Sequence, residues 1–138
     1  MNTVSRRLVL NTLAAGVLAA MTSLAQAQDM KLVSVTAIVD HPAIDSDRKG
    51  IEDELKALSF EAGKTMKYQY QSAQGNPATA GQIAKKFVGD KSDVIVAIAT
   101  PSAQAAAAST KTIPVVFTAV TGPVAAKLAK DWKPSGTN

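Results

Sequence analysis

From Lys31 onward the chain alternates between short β-rich runs and stretches in which apolar residues recur at helical spacing. Lys31 to Val39 is rich in β-branched residues and predicts a first strand. It ends in the loop Asp40-His41-Pro42-Ala43-Ile44-Asp45, which Pro42 keeps out of helix at His41. Asp45 or Ser46 then caps a helix from Asp47 to about Leu58, with Ile51, Leu55 and Leu58 on one face and Glu52, Asp53 and Lys56 toward water. After the turn Ala62-Gly63-Lys64, Thr65 to Ser72 sets Met66, Tyr68 and Tyr70 against Lys67, Gln69 and Gln71. That alternation predicts a half-exposed edge strand whose tyrosines pack on a helix. Asn76 caps and Pro77 opens a helix running to about Val88, with Ile83, Ala84 and Phe87 inward, Lys85 and Lys86 outward, and Gly89 as its stop.

The organising stretch is Asp93 to Ser109. Val94 to Ile98 lacks polar residues and lies between polar flanks, as suits a strand covered on both faces in the middle of a parallel sheet. The period then changes at once. Thr100 serves as N-cap, Pro101 suits the first helical position, and Ala103 to Ala108 has high helix propensity. A buried strand running straight into a helix start places unpaired N–H groups at the carboxyl end of the sheet, where the helix dipole favours an anion. The stretch therefore reads as half of a carboxylate-binding site. Ile113 to Thr118 is a second short apolar strand, followed by the loop Ala119 to Pro123, a helix from Val124 to Asp131 and a final turn from Lys133 to Asn138.

Four strands alternating with four helices predict an α/β fold: a parallel sheet with flanking helices, right-handed crossovers and strand order 2-1-3-4. Three loops then meet at its carboxyl edge, Asp40 to Ser46, Thr100 to Gln104 and Ala119 to Pro123. Function is expected there. The candidate ligand contacts are His41 and Asp45 in the first loop and Thr121 in the third. The second supplies the hydroxyls of Thr100 and Ser102 and the N–H groups of Ser102, Ala103 and Gln104.

Composition narrows the class. The 138 residues are 46% hydrophobic and only 4% aromatic, which allows one domain with an aliphatic core. The absence of cysteine excludes disulfides, thiolate metal sites and a cysteine nucleophile. Residues 1–27 contain two arginines and no acid, and without them 13 basic residues face 11 acidic ones, too even a balance to suggest nucleic acid. Those residues read as a signal peptide: Arg6 and Arg7, an apolar run from Leu8 to Ala20, and Ala25-Gln26-Ala27 as a small-x-small site, with cleavage before Gln28. The apolar run is short for a membrane span, which needs about 20 residues. Ser5 to Leu10 partly matches a twin-arginine signal, so either export route leads to the periplasm.

Other motifs are weak. Gly63-Lys64-Thr65 imitates the end of a P-loop, but Leu58 stands where the earlier glycine belongs and the triplet precedes a strand. Neither G-x-G-x-x-G nor G-x-S-x-G occurs. A hydrolase built on Ser102 with His41 lacks an evident orienting acid beyond Asp40 or Asp45. A lone loop histidine between two aspartates is more often a hydrogen-bonding residue than a metal ligand, so no metal, cofactor or catalytic residue is expected. Trp132 reads as a packing residue.

Asp40-His41-Pro42-Ala43-Ile44-Asp45, D-V-I-V-A-I-A-T-P-S-A-Q from Asp93 and I-P-V-V-F-T-A-V-T-x-P-V from Ile113 together resemble the periplasmic substrate-binding proteins of ABC transporters, in the group associated with tryptophan, tyrosine and related amino acids. The resemblance covers Gln28 to Asn138. It implies one lobe of a type I periplasmic binding protein-like fold, the N-terminal one, with a ligand (an amino acid or similar carboxylate) held between two lobes and a membrane permease as partner. Two residues depart from the family pattern. Gly122 stands where an aspartate is usual, removing an acceptor for a ligand ammonium or a helix cap. Ser59 replaces a usual glycine at a helix C-terminus, where left-handed geometry costs a non-glycine residue about 1 kcal/mol. Family proteins continue through a hinge and a second lobe, so this chain is expected to be a fragment or a shortened reading frame. The alternative expectation is an exported α/β domain that has lost ligand binding and acts as a structural or interaction module.

Overall fold

The computed structural model describes residues 30–133. The signal-peptide reading falls outside them.

Seven elements alternate along the described residues: β1 (Lys31–Ala37), α1 (Pro42–Ala57), β2 (Met66–Ser72), α2 (Pro77–Gly89), β3 (Val94–Ile98), α3 (Thr100–Ser109) and β4 (Val115–Thr118). The strands form one four-stranded sheet of order β2-β1-β3-β4, every pairing parallel, as the sequence predicts.

Side-chain alternation divides the core into two layers. Val33, Val35 and Ala37 of β1 and Val96 and Ile98 of β3 face α1, where Ile44, Ile51 and Leu55 meet them together with Tyr68 and Tyr70 of β2. The tyrosines thus pack on a helix, as their alternation requires. On the opposite face Ile95 and Ala97 meet Ala80, Ile83 and Phe87 of α2 and Ala103 and Ala106 of α3. Ala103 and Ala106 are fully buried, and their single methyl groups let α3 lie close to the sheet. Ser34 and Gln69 on this face are joined rather than solvated: Gln69 Nε2 donates to Ser34 Oγ at 2.7 Å, Ser34 and Ser92 share a 2.6 Å bond, and Ser92 Oγ donates to the Phe87 carbonyl at 2.8 Å. Each hydroxyl in that chain has a partner, which ties β1, β2 and α2 together, whereas Thr36 Oγ1 on the same face of β1 is buried without one.

Local chemistry moves several boundaries. The first helix begins at Pro42, five residues before the expected Asp47, because His41 itself is the N-cap: extended at φ −154°, ψ 143°, it accepts from the Ala43 N–H through Nδ1 at 3.2 Å. The proline that keeps His41 out of the helix also supplies the first helical residue. Asp45 and Ser46 therefore lie within α1 and cap nothing; Ser46 Oγ donates back to the Pro42 carbonyl at 2.9 Å. The helix ends in a Schellman arrangement around Ser59, whose φ of 69° is the expected left-handed value, with Phe60 N–H bonded to the Leu55 carbonyl at 2.8 Å and Ser59 N–H to the Lys56 carbonyl at 3.0 Å. Strand β1 stops at Ala37 rather than Val39, and β4 starts at Val115 rather than Ile113. Gly63 lies in the turn before β2 at φ 78°, so the P-loop imitation is a turn.

The expected helix from Val124 to Asp131 does not form. A single turn closes through Ala126 N–H to the Gly122 carbonyl at 2.8 Å and Leu128 N–H to the Pro123 carbonyl at 2.8 Å, and Lys127 at φ 59° ends it. Gly122 offers no side-chain cap, and one turn does not offset the cost of helix nucleation. Trp132 is 81% exposed, contrary to the packing role read from the sequence. With too little helix after β4 there is no face for it to pack under.

Candidate functional site

The parallel register sets the carboxyl ends of β1, β3 and β4 at one level, since Ala37 pairs with Ile98 and Ile98 with Thr118. The chain leaves β1 toward α1 on one face and leaves β3 toward α3 on the other. Adjacent strands whose following helices diverge to opposite faces make a topological switch point, the position where open α/β sheets bind ligands. His41 lies at the β1 side of that crevice, Thr100 and Ser102 at the β3 side, and Thr121 follows β4.

At the β3 side the helix cap is Ala99, not Thr100. Ala99 has φ 75° and ψ 156° and makes no side-chain cap bond. Its N–H donates to the Thr118 carbonyl at 3.0 Å and its carbonyl accepts from Ala103 N–H at 3.1 Å. The residue is thus stretched between sheet ladder and helix, which leaves Thr100 as the first helical residue and Pro101 as the second. The consequence for the donor set is specific. Ala103 N–H is already committed to Ala99, and Gln104 N–H lies inside the helical ladder, whereas the N–H groups of Thr100 and Ser102 occupy first-turn positions that have no intrahelical acceptor. Ser102 is fully buried, and its Oγ has no hydrogen-bond partner. Gln104 is exposed and turns away from the crevice, donating through Nε2 to the Ala126 carbonyl at 3.1 Å.

At the β1 side, His41 is exposed and spends Nδ1 on capping α1. Asp45 is partly exposed, 3.6 Å from Arg48 in an ion pair one turn along α1. Thr121 is exposed. Asp40, which the sequence offers only as a weak orienting acid or metal ligand, organises this end. Asp40 accepts from Tyr70 Oη at 2.8 Å and from Gln74 Nε2 at 2.6 Å, tying the loop after β1 to the end of β2. Those two hydrogen bonds hold the Asp40 carboxyl below the usual carboxylate range. Burial, and then the bond to Asp40, push Tyr70 up to about 12, and the Arg48 guanidinium lies 4.6 Å from its ring centroid. The signal for this cluster was present in the two-residue alternation of Tyr68 and Tyr70 and an aspartate placed just after a strand. With both Asp40 oxygens occupied, Asp40, His41 and Asp45 do not form a metal cradle, and no such group occurs among the described residues.

Residues 32–138 match the family described as ABC transporter substrate binding protein. The chain belongs to that family. It is 44% identical over 108 residues to a tyrosine-binding protein of Clostridioides difficile strain R20291, covering 78% of this chain and 31% of that protein. Among solved structures it is similar to a conserved domain protein from Vibrio cholerae O1 biovar El Tor (55% identity, TM-score 0.77, 79% of this chain and 37% of that one). A ligand-free, open substrate-binding protein with adhesive properties from Clostridium difficile follows at 44% identity and TM-score 0.76, covering 78% of this chain and 37% of that one. An ABC domain in complex with L-Trp from Streptococcus pneumoniae shares 34% identity at TM-score 0.75, covering 79% and 37% respectively. The chain thus spans about a third of the length of these family members.

Proposed function

We propose that the chain is the N-terminal lobe of an exported solute-binding protein, residues 1–27 being its signal peptide and residues 28–138 the lobe, and that it takes a small amino-acid-like ligand by its carboxylate at the carboxyl edge of the sheet. The reading rests above all on Ser102: a buried hydroxyl without a partner in the first turn of a helix whose Thr100 and Ser102 N–H groups lack intrahelical acceptors, beside a topological switch point. Such a turn supplies oriented donors and a favourable dipole, and needs no cationic side chain. Thr100 adds a second hydroxyl; His41, Asp45 and Thr121 stand on the neighbouring loops, and Ala103 and Gln104 contribute the walls of the turn rather than further main-chain donors. The two relatives described with tyrosine and L-Trp point to an aromatic amino acid as the ligand class. A second lobe closes over the ligand, and the closed form is what a membrane ABC permease recognises.

One lobe offers only part of the contacts while most of the cost of immobilising the ligand remains, so this chain alone binds weakly. Calorimetry tests the proposal on a two-lobed polypeptide, made by joining this chain to the portion of the Vibrio cholerae relative outside the matched span. L-tyrosine should bind and tyramine, which lacks the carboxylate, should not. Ser102→Pro, which removes one donor and the hydroxyl, should lower affinity about tenfold or more, the loss of one to two hydrogen bonds to a charged group. Unchanged affinity in Ser102→Pro would overturn the assignment. Mass spectrometry of periplasmic extracts, with a mature terminus at Gln28 expected, tests export.

A further inference from the structure

Capping by His41 fixes the state of its ring. The Ala43 N–H is a donor, so its 3.2 Å contact requires an unprotonated Nδ1 and places the proton of the neutral imidazole on Nε2. A protonated ring has two N–H groups and no acceptor. Two donors then face each other across that contact, and a cation stands at the positive end of the α1 dipole. Histidine is the side chain whose ordinary charge change falls between roughly pH 5 and 8, and His41 is the single histidine of the sequence. The start of α2 is built differently. Asn76 Oδ1 accepts there from the N–H groups of Ala78 at 2.8 Å and Thr79 at 3.3 Å, and an amide does not titrate.

The surroundings let protonation exchange one set of contacts for another. The charged and titratable groups about the ring are Asp40 in the same loop, Asp45 and Arg48 on α1, and Tyr70 on β2; the first turn of α3 and the loop 119–123 carry none. Asp40 is pinned by Tyr70 and Gln74, so a fixed carboxylate stays one residue from the ring. Asp45 lies 3.6 Å from Arg48, beyond hydrogen-bond length, and is half-exposed, which leaves it able to meet an imidazolium. His41 is itself exposed, so its ring has room to turn. The Asp45 N–H bond to the His41 carbonyl, at 2.9 Å, involves no ring atom and survives in either state. Pro42 has no N–H, so the group that loses its partner is the Ala43 amide, and the change is confined to the first turn.

We propose that His41 is an acid-sensitive cap: the neutral ring holds the first turn of α1 at the β1 side of the crevice, and the protonated ring releases it. The release lowers ligand affinity, a consequence that rests on the carboxylate assignment above. NMR of the full chain, titrated from about pH 8 to about pH 5, follows the His41 ring and the Ala43 amide together. The Ala43 N–H signal should move to higher field with the midpoint of the ring protons, while the Ala78 and Thr79 amides at the start of α2 stay in place. In His41→Asn, which keeps a capping side chain without a titrating group, the Ala43 signal should hold still over the same range. An Ala43 signal that stays fixed while the ring titrates overturns the proposal, as does a shift that persists in His41→Asn. In the two-lobed polypeptide, L-tyrosine affinity should fall about fivefold from about pH 7.5 to about pH 5.5, the worth of one helix cap. The ratio of the two affinities should be near one in His41→Asn, whatever that variant's affinity at the higher pH. An equal fall in both proteins overturns the link to the crevice. Absence of L-tyrosine binding at both pH values, with the Ala43 response intact, would instead refute the carboxylate assignment and leave the acid-sensitive cap supported.

Discussion

Replacing Ala99 by glycine should stabilise the lobe. At φ 75° and ψ 156°, Ala99 occupies a region that is essentially restricted to glycine, at a cost of about 1–3 kcal/mol for other residues. The conformation is imposed from both sides, by the Ala99 N–H bond to Thr118 in the sheet and the Ala103 N–H bond to its carbonyl in α3. Two effects oppose the gain. Glycine raises the entropy of the unfolded chain by about 0.4–1 kcal/mol. The half-buried methyl is also lost, worth less than the roughly 0.8 kcal/mol of a fully buried carbon. At the middle of these ranges the strain relief prevails by about 1 kcal/mol, or about 4–8 °C in Tm for a domain of this size. Urea unfolding followed by circular dichroism should show a higher midpoint at unchanged slope. Ala119→Gly, at φ 55°, is the comparator: left-handed helical geometry costs an alanine about 1–2 kcal/mol, so its gain should be smaller. A lower midpoint for Ala99→Gly would refute the claim that strain is stored at this junction.

Ser59→Gly should raise stability by about 1 kcal/mol, because Ser59 is the left-handed residue of the Schellman turn ending α1; thermal unfolding that leaves Tm unchanged would contradict this. Thr36 Oγ1 is buried without a partner, so Thr36→Val should be neutral or stabilising by about 1 kcal/mol, and a destabilised variant in denaturant titration would reveal a hidden bond. Tyr70, pushed up to about 12 by burial and by its bond to Asp40, should titrate at lower pH in Asp40→Asn when followed by tyrosinate absorbance; an unmoved midpoint would remove Asp40 as a cause. Asp40 has a depressed carboxyl, so its stabilising bonds are fully present above the usual carboxylate range and are lost as pH falls through the folded value; acid unfolding of Asp40→Asn should accordingly depend less on pH at the acid end.

The sheet and its order were legible because each strand carries an unambiguous pattern. Val94 to Ile98 has no polar residue, and Tyr68 and Tyr70 alternate with glutamines, so both the central and the edge position follow from two faces being covered or one. Asn76 and Pro77 mark the start of α2 as the sequence predicts, but the starts of α1 and α3 were less legible, since their caps come from unusual residues. His41 caps through a ring nitrogen, and Ala99 caps with no side chain at all, so the search for Ser, Thr, Asp or Asn settled on Asp45, Ser46 and Thr100 instead. The segment after Gly122 carries helical spacing, but spacing does not encode the left-handed turn at Lys127. The exposure of Val116 could not be read at all: Val115 and Val116 are the same residue type, and only the sheet shows that Val115 packs into the layer with α2 and α3 while Val116 on the other face is 54% exposed.

Amide-resolved NMR of the two-lobed polypeptide tests the central claim most directly. Titration with L-tyrosine should move the Thr100 and Ser102 amide signals to lower field, as expected for N–H groups that take a carboxylate, and titration with tyramine should leave them in place. Amides of α3 that remain unmoved while others respond to L-tyrosine would place the ligand elsewhere and contradict the account.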